Sequence, residues 1–122
     1  MTQPILMVTI GDELRPLVEA RLGGLAQIRF LGDVPAPQRQ STLAAADVLF
    51  CLRPQMEIGA DWPANPGWRY VQFMSAGVDH IDLSKFPPSA QLACNAGGFS
   101  EPMAEHILAM ALALSKKLLY NH

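Results

Sequence analysis

At 122 residues, half of them apolar and 16% charged, the chain reads as one globular domain and not as a disordered segment. A net charge of −2, with nine Lys and Arg scattered and only Lys116 and Lys117 adjacent, argues against nucleic acid as a partner. The longest strongly apolar run, Ile107 to Leu114, is far short of the ~20 residues that cross a bilayer, so no membrane partner is expected.

The N-terminus begins Met-Thr-Gln-Pro, without the basic stretch of a secretory signal, and a cytoplasmic location is expected. Cys51 and Cys94 both sit in apolar runs, as buried, reduced thiols of a cytosolic protein would.

In chain order, Ile5 to Ile10 is an almost continuous apolar run, the pattern of a strand covered on both faces. Gly11-Asp12 breaks it. Leu14, Leu17, Val18, Arg21 and Leu22 follow helical spacing, with Pro16 near the first turn and Gly23-Gly24 as the stop. Gln27 to Leu31 predicts a second strand, Gln38 to Ala46 a second helix, and Val48 to Leu52 a third strand. Arg53 to Gly67 holds three prolines and predicts a surface excursion with one helical turn at Gln55 to Ile58. Arg69 to Met74 and Gln91 to Asn95 complete five strands. Ser100 to about Tyr120 predicts the last helix, apolar on more than one face.

Strands alternating with helices imply an α/β, flavodoxin-like fold, with about five parallel strands and helices on both faces. Ligands of such sheets bind at the carboxyl ends of the strands. Gly11-Asp12, Arg53, Ser75-Ala76-Gly77 and Asn95-Ala96-Gly97-Gly98 leave those ends.

Ser75, Ala76, Gly77 and Val78 follow strand four with little side chain over their backbone amides. They can be read as a carboxylate cradle or as a tight turn that needs small residues. Arg53 could grip an acid bidentately or form an ion pair of its own. Asn95 could bond the loop backbone or a substrate. Asp79 reads as the cap of a short helical turn. His80 reads as an ordinary, partly exposed side chain, and His106 as a residue that orients the last helix or packs at the cleft edge. Asp79, His80 and Asp82 lack the spacing of a metal site. No Gly-x-Gly-x-x-Gly occurs, and no phosphate loop ending in Gly-Lys-Ser/Thr.

Ser75-Ala76-Gly77-Val78-Asp79-His80-Ile81-Asp82, then Asn95-Ala96-Gly97-Gly98, then Glu101-Pro102-Met103-Ala104-Glu105-His106 and an Ala/Leu-rich helix together resemble the D-isomer-specific 2-hydroxyacid dehydrogenases. The resemblance is to the N-terminal part of their substrate-binding domain. It implies one substrate-binding domain over residues 1–122, incomplete relative to the family. It also implies a small 2-hydroxy or 2-keto acid as ligand, with Ser75, Ala76, Gly77, Val78, Arg53 and Asn95 as its binding residues. The family's catalytic Arg, Glu and His and its NAD or NADP site match nothing in this chain. Catalytic, cofactor-binding and metal residues are therefore expected to be none, with NAD or NADP implied for a full-length family protein.

The reading is thus a substrate-binding domain of an NAD(P)-dependent oxidoreductase, not catalytic alone. The alternative is a stand-alone binding or regulatory module of the same fold. A glycine fingerprint encoded within a few tens of residues after His122 would favour the first, a stop codon the second. A receiver domain is disfavoured because Arg53, not an acid, follows strand three, and a flavodoxin because Gly11-Asp12-Glu13 is not a Ser/Thr-rich phosphate loop. The apolar helix over residues 103–120 implies a homo-oligomer.

Overall fold

The apolar runs pair into a single parallel sheet. β1 (Ile5–Val8), β2 (Gln27–Phe30), β3 (Val48–Cys51), β4 (Tyr70–Phe73) and β5 (Gln91–Ala93) lie in the order β2-β1-β3-β4-β5. The structure, a computed structural model, describes residues 2–118 and 120. Leu6 pairs with Ile28 on one side and Val48 on the other, and Val71 lies between Leu49 and Leu92. The helices are α1 (Arg15–Leu22), α2 (Arg39–Ala45), α3 (Pro54–Ile58) and α4 (Ser100–Ser115). The expected α/β fold with helices on both faces is the observed one. The order reverses between β1 and β3, which makes their carboxyl ends the topological switch point.

Alternate residues of each strand feed opposite cores. Met7, Leu49, Cys51, Val71 and Phe73 point to the larger core, where Leu43 of α2 and Ile58 of α3 cover them. Trp68 is buried there and its Nε1–H donates to the Leu43 carbonyl at 2.7 Å. Trp62, Trp68, Phe73 and Phe86 meet at ring centroid distances of 5.3–5.8 Å, mostly edge to face. Leu6, Val8 and Phe30 point the other way, against Val18 of α1. That helix covers only part of the second face. Val48, Phe50, Tyr70 and Gln72 line an open groove of about 410 Å³ beside Leu22 and Leu25.

All five strands end one or two residues before the runs read from the sequence. Leu31 opens a 3₁₀ turn yet is buried, and Cys94 still packs on the larger core. Hydrophobicity reports burial, and burial outlasts the ladder. α4 also ends early, at Ser115 and not near Tyr120. Lys117 takes a left-handed conformation with φ 50°. Its N–H donates to Leu114 and that of Leu118 to Ala113, at 3.2 and 3.1 Å, which closes the helix without the usual glycine. α4 stands clear of both cores. Met103, Ile107, Leu108 and Leu114 are 60–74% exposed. Leu119, within the span predicted for this helix, lies outside the described residues. Among the described residues, no helix is long and apolar enough to cross a membrane.

Candidate functional site

The carboxyl ends of β3 and β4 open onto a cleft of about 520 Å³ lined by Leu52, Arg53, Gln55, Met56, Ser75 and His80. Two of the residues singled out in the sequence, Arg53 and Ser75, therefore share one wall-to-wall space.

The Ser75 loop is held at its start by a 2.8 Å bond from the Met74 N–H to the Cys51 carbonyl. The Ser75 hydroxyl donates to the Gly77 carbonyl at 2.7 Å and tightens the turn. The N–H groups of Ser75, Ala76, Gly77 and Val78 donate to nothing among the described residues. Ala76 and Gly77 are exposed, Ser75 and Val78 half-buried. A Cβ at Gly77 would meet only Asp79 Oδ2, at 4.0 Å, so packing does not demand glycine there. Unpaired backbone donors pointing at water are the chemistry of an anion site.

The loop after β5 is tied to this one. Asn95 donates its N–H to the Ser75 carbonyl at 2.9 Å. Gly97 has φ 80°, which favours glycine, and a Cβ at Gly98 would overlap the Asn95 side-chain amide. That amide has no hydrogen bond among the described residues, and Asn95 itself is half-buried.

Arg53 is exposed, and its guanidinium makes no hydrogen bond or ion pair among the described residues. The ion pair considered from the sequence is not formed. The Arg53 backbone, by contrast, is firmly held by Glu57, which sequence reasoning missed. The Glu57 carboxylate accepts from the N–H of Arg53 at 2.8 Å, from that of Leu52 at 3.1 Å, and from the Thr9 hydroxyl at 2.6 Å. The only legible signal was an acid four residues after Arg53, behind a proline that opens α3. His80 was expected to be an ordinary side chain. It lines the cleft, and its Nε2–H donates to the Leu52 carbonyl at 3.3 Å.

Other expectations need correction. Asp79 caps nothing. Asp82, three residues on, accepts the Ser84 N–H at the start of the 3₁₀ turn Leu83–Lys85, and the Ser84 hydrogen bonds hold its carboxyl below the usual range. His106 does not pack at the cleft edge: it is exposed on α4. Cys94 is half-buried and not fully buried. Cys51 is buried, and burial, with Glu57 adding a smaller contribution, pushes its thiol far above the ordinary value. Asp12 does not line the cleft. It accepts from Arg15 at 2.7 Å, while Arg15 also bonds Asp33 at 2.8 and 2.9 Å and lies 3.9 Å from the Phe30 ring centre. No group of three His, Cys, Asp or Glu among the described residues is arranged to hold a metal ion.

No family model matches the chain, and no curated protein does. Among solved structures, the chain is similar to D-lactate dehydrogenase from Aquifex aeolicus complexed with NAD and lactic acid. The TM-score is 0.61 at 22% sequence identity, over 93% of this chain and 34% of that one. At that identity the likeness shows a shared fold, and the chain spans about a third of the length of that dehydrogenase.

Proposed function

We propose that residues 1–122 form a substrate-binding domain for small 2-hydroxy or 2-keto acids, within an NAD(P)-dependent oxidoreductase. The observation that carries this reading is that Ser75, which opens a run of four amides without an acceptor among the described residues, lines one cleft with Arg53, whose guanidinium is unpaired among those residues. A carboxylate accepts several charge-assisted hydrogen bonds at once, and bare amides flanked by a cation provide them. The side-chain amide of Asn95, on the neighbouring loop, has no hydrogen bond among the described residues and is assigned to the 2-oxygen of such an acid. The fold neighbour was solved with NAD and lactic acid, a 2-hydroxy acid of this size.

The reading assigns the chain a binding role only. No dinucleotide fingerprint occurs in the sequence. NAD or NADP is assigned to a part of the protein outside these residues. The two free thiols suit a cytoplasmic location, and α4 suits assembly with a second copy.

A crystal grown with oxamate tests the binding assignment. Its carboxylate is expected about 3 Å from amides of residues 75–78. An oxamate bound at another place, with those amides facing water, overturns it.

A further inference from the structure

Glu57 lies at the switch point and is not among the residues that line the cleft. Its carboxylate joins three donors from two separate parts of the chain. The Thr9 hydroxyl leaves the end of β1, and the Leu52 and Arg53 N–H groups leave the end of β3. The Thr9 N–H already bonds the Phe50 carbonyl at 3.0 Å, so Thr9 is a fixed post. Glu57 reaches it from α3, four residues past Arg53. The opposite side of the same turn is held by His80, through the Leu52 carbonyl.

The backbone of Leu52 and Arg53 is thus bonded on every side, while the Arg53 side chain has no bond among the described residues. Arg53 has φ −128° and ψ 75°, outside the helical region that the following Pro54 disfavours. A long cation serves an anion site only if its stem leaves the backbone in the right direction, because an untethered turn spreads the guanidinium over open water.

We propose that Glu57 is a positioning residue: it locks the Leu52–Arg53 turn to the end of β1 and so directs Arg53 into the cleft beside the Ser75 amides. This rests on the reading of that cleft as an acid site. Glu57 does not touch the ligand. Its effect on binding passes through Arg53.

The test is a double-mutant cycle on the whole chain, with pyruvate as the probe and amide shifts of residues 75–78 as the readout. Arg53→Ala and Glu57→Ala should each weaken pyruvate binding about fivefold, with the double variant no weaker than either single one. Glu57→Gln keeps one acceptor oxygen and can donate to Thr9, and should bind within about twofold of the parent chain. Losses that multiply in the double variant, or parent-like binding by Glu57→Ala, overturn the proposal. If Glu57→Ala does not fold, Thr9→Val removes one donor away from the cleft, and the same cycle with Arg53→Ala applies. If pyruvate leaves residues 75–78 unshifted in the parent chain, the acid-site reading has failed. The lock is then read without ligand. Slow exchange of the Leu52 and Arg53 amide protons in the parent chain, and faster exchange in the Glu57 or Thr9 variant, support it. Equal exchange overturns it.

Discussion

The N–H of Asn95 donates to the carbonyl of Ser75 at 2.9 Å, and this one bond makes a single rim of the loops that follow β4 and β5. The bond comes from backbone atoms, so side-chain changes in either loop act on the rim through its shape.

Gly98 is the place to see this. A methyl group there would overlap the Asn95 side chain, which must then move. Gly98→Ala is expected to shift the amide resonances of residues 75–78 and 95–98 and to weaken acid binding, with a stability loss of about 1 kcal/mol. Asn95→Ala frees the space, so the pair should be less than additive. Full additivity in urea unfolding would contradict the overlap.

Trp68 holds the larger core. Trp68→Phe keeps most of the ring area but takes the Nε1 donor from the Leu43 carbonyl. Among the described residues, that carbonyl then keeps only a long bond from the Ala46 N–H, at 3.3 Å. The expected cost is about 1–3 kcal/mol, and Trp68→Ala should cost about 3–5 kcal/mol. Urea midpoints measure both. A Trp68→Phe chain as stable as its parent would show that the bond contributes nothing.

Stability should decline at both ends of the pH range, for opposite reasons. The Asp33 carboxyl is held below 3.8 by its hydrogen bonds from Arg15. Its contribution is complete above that value and is lost as pH falls through the lower folded value. The Cys51 thiol is raised from 9.0 by burial, so its contribution is complete below pH 9. Above pH 9 the unfolded thiol ionises while the folded one stays neutral, and stability falls as pH rises. Asp33→Asn should flatten the acid limb of a urea-midpoint profile, and Cys51→Ala the alkaline limb. Unchanged limbs would remove these groups as the cause.

The exposed side chains of α4 predict association. Burying each large one contributes roughly 1.5–3 kcal/mol, and several lie together. Light scattering at micromolar concentration should give a mass above 13.3 kDa, with a two-fold dimer expected. Leu112, 58% exposed, lies in this surface, and Leu112→Lys should return the chain towards monomer. A clean monomer of the parent chain contradicts the prediction.

β1 and β3 were legible as unbroken apolar runs, the pattern of central parallel strands, whereas the edge strand β2, Gln-Ile-Arg-Phe, alternates polar and apolar residues. The end of α4 was not, since Lys117 holds the left-handed position where a glycine would have marked the stop. Asp79 and Asp82 stand three residues apart and look alike as caps. Only the path of the chain decides which faces a free N–H. Ser75 and Arg53 could be placed at strand ends from the pattern. Their shared cleft depends on the pairing of β3 with β4. Glu57 was hidden because its partner Thr9 lies 48 residues away and the bond exists only once β1 and β3 are neighbours. The approach of Gly98 to Asn95 depends in the same way on the turn at Gly97.

A titration of the ¹⁵N-labelled chain with pyruvate and glyoxylate tests the central claim most directly. The amides of Ser75, Ala76, Gly77 and Val78 should shift together and saturate, with a dissociation constant in the millimolar range, about −4 kcal/mol. Arg53→Ala should weaken the response without moving it. Shifts that cluster elsewhere while residues 75–78 stay silent would contradict the claim.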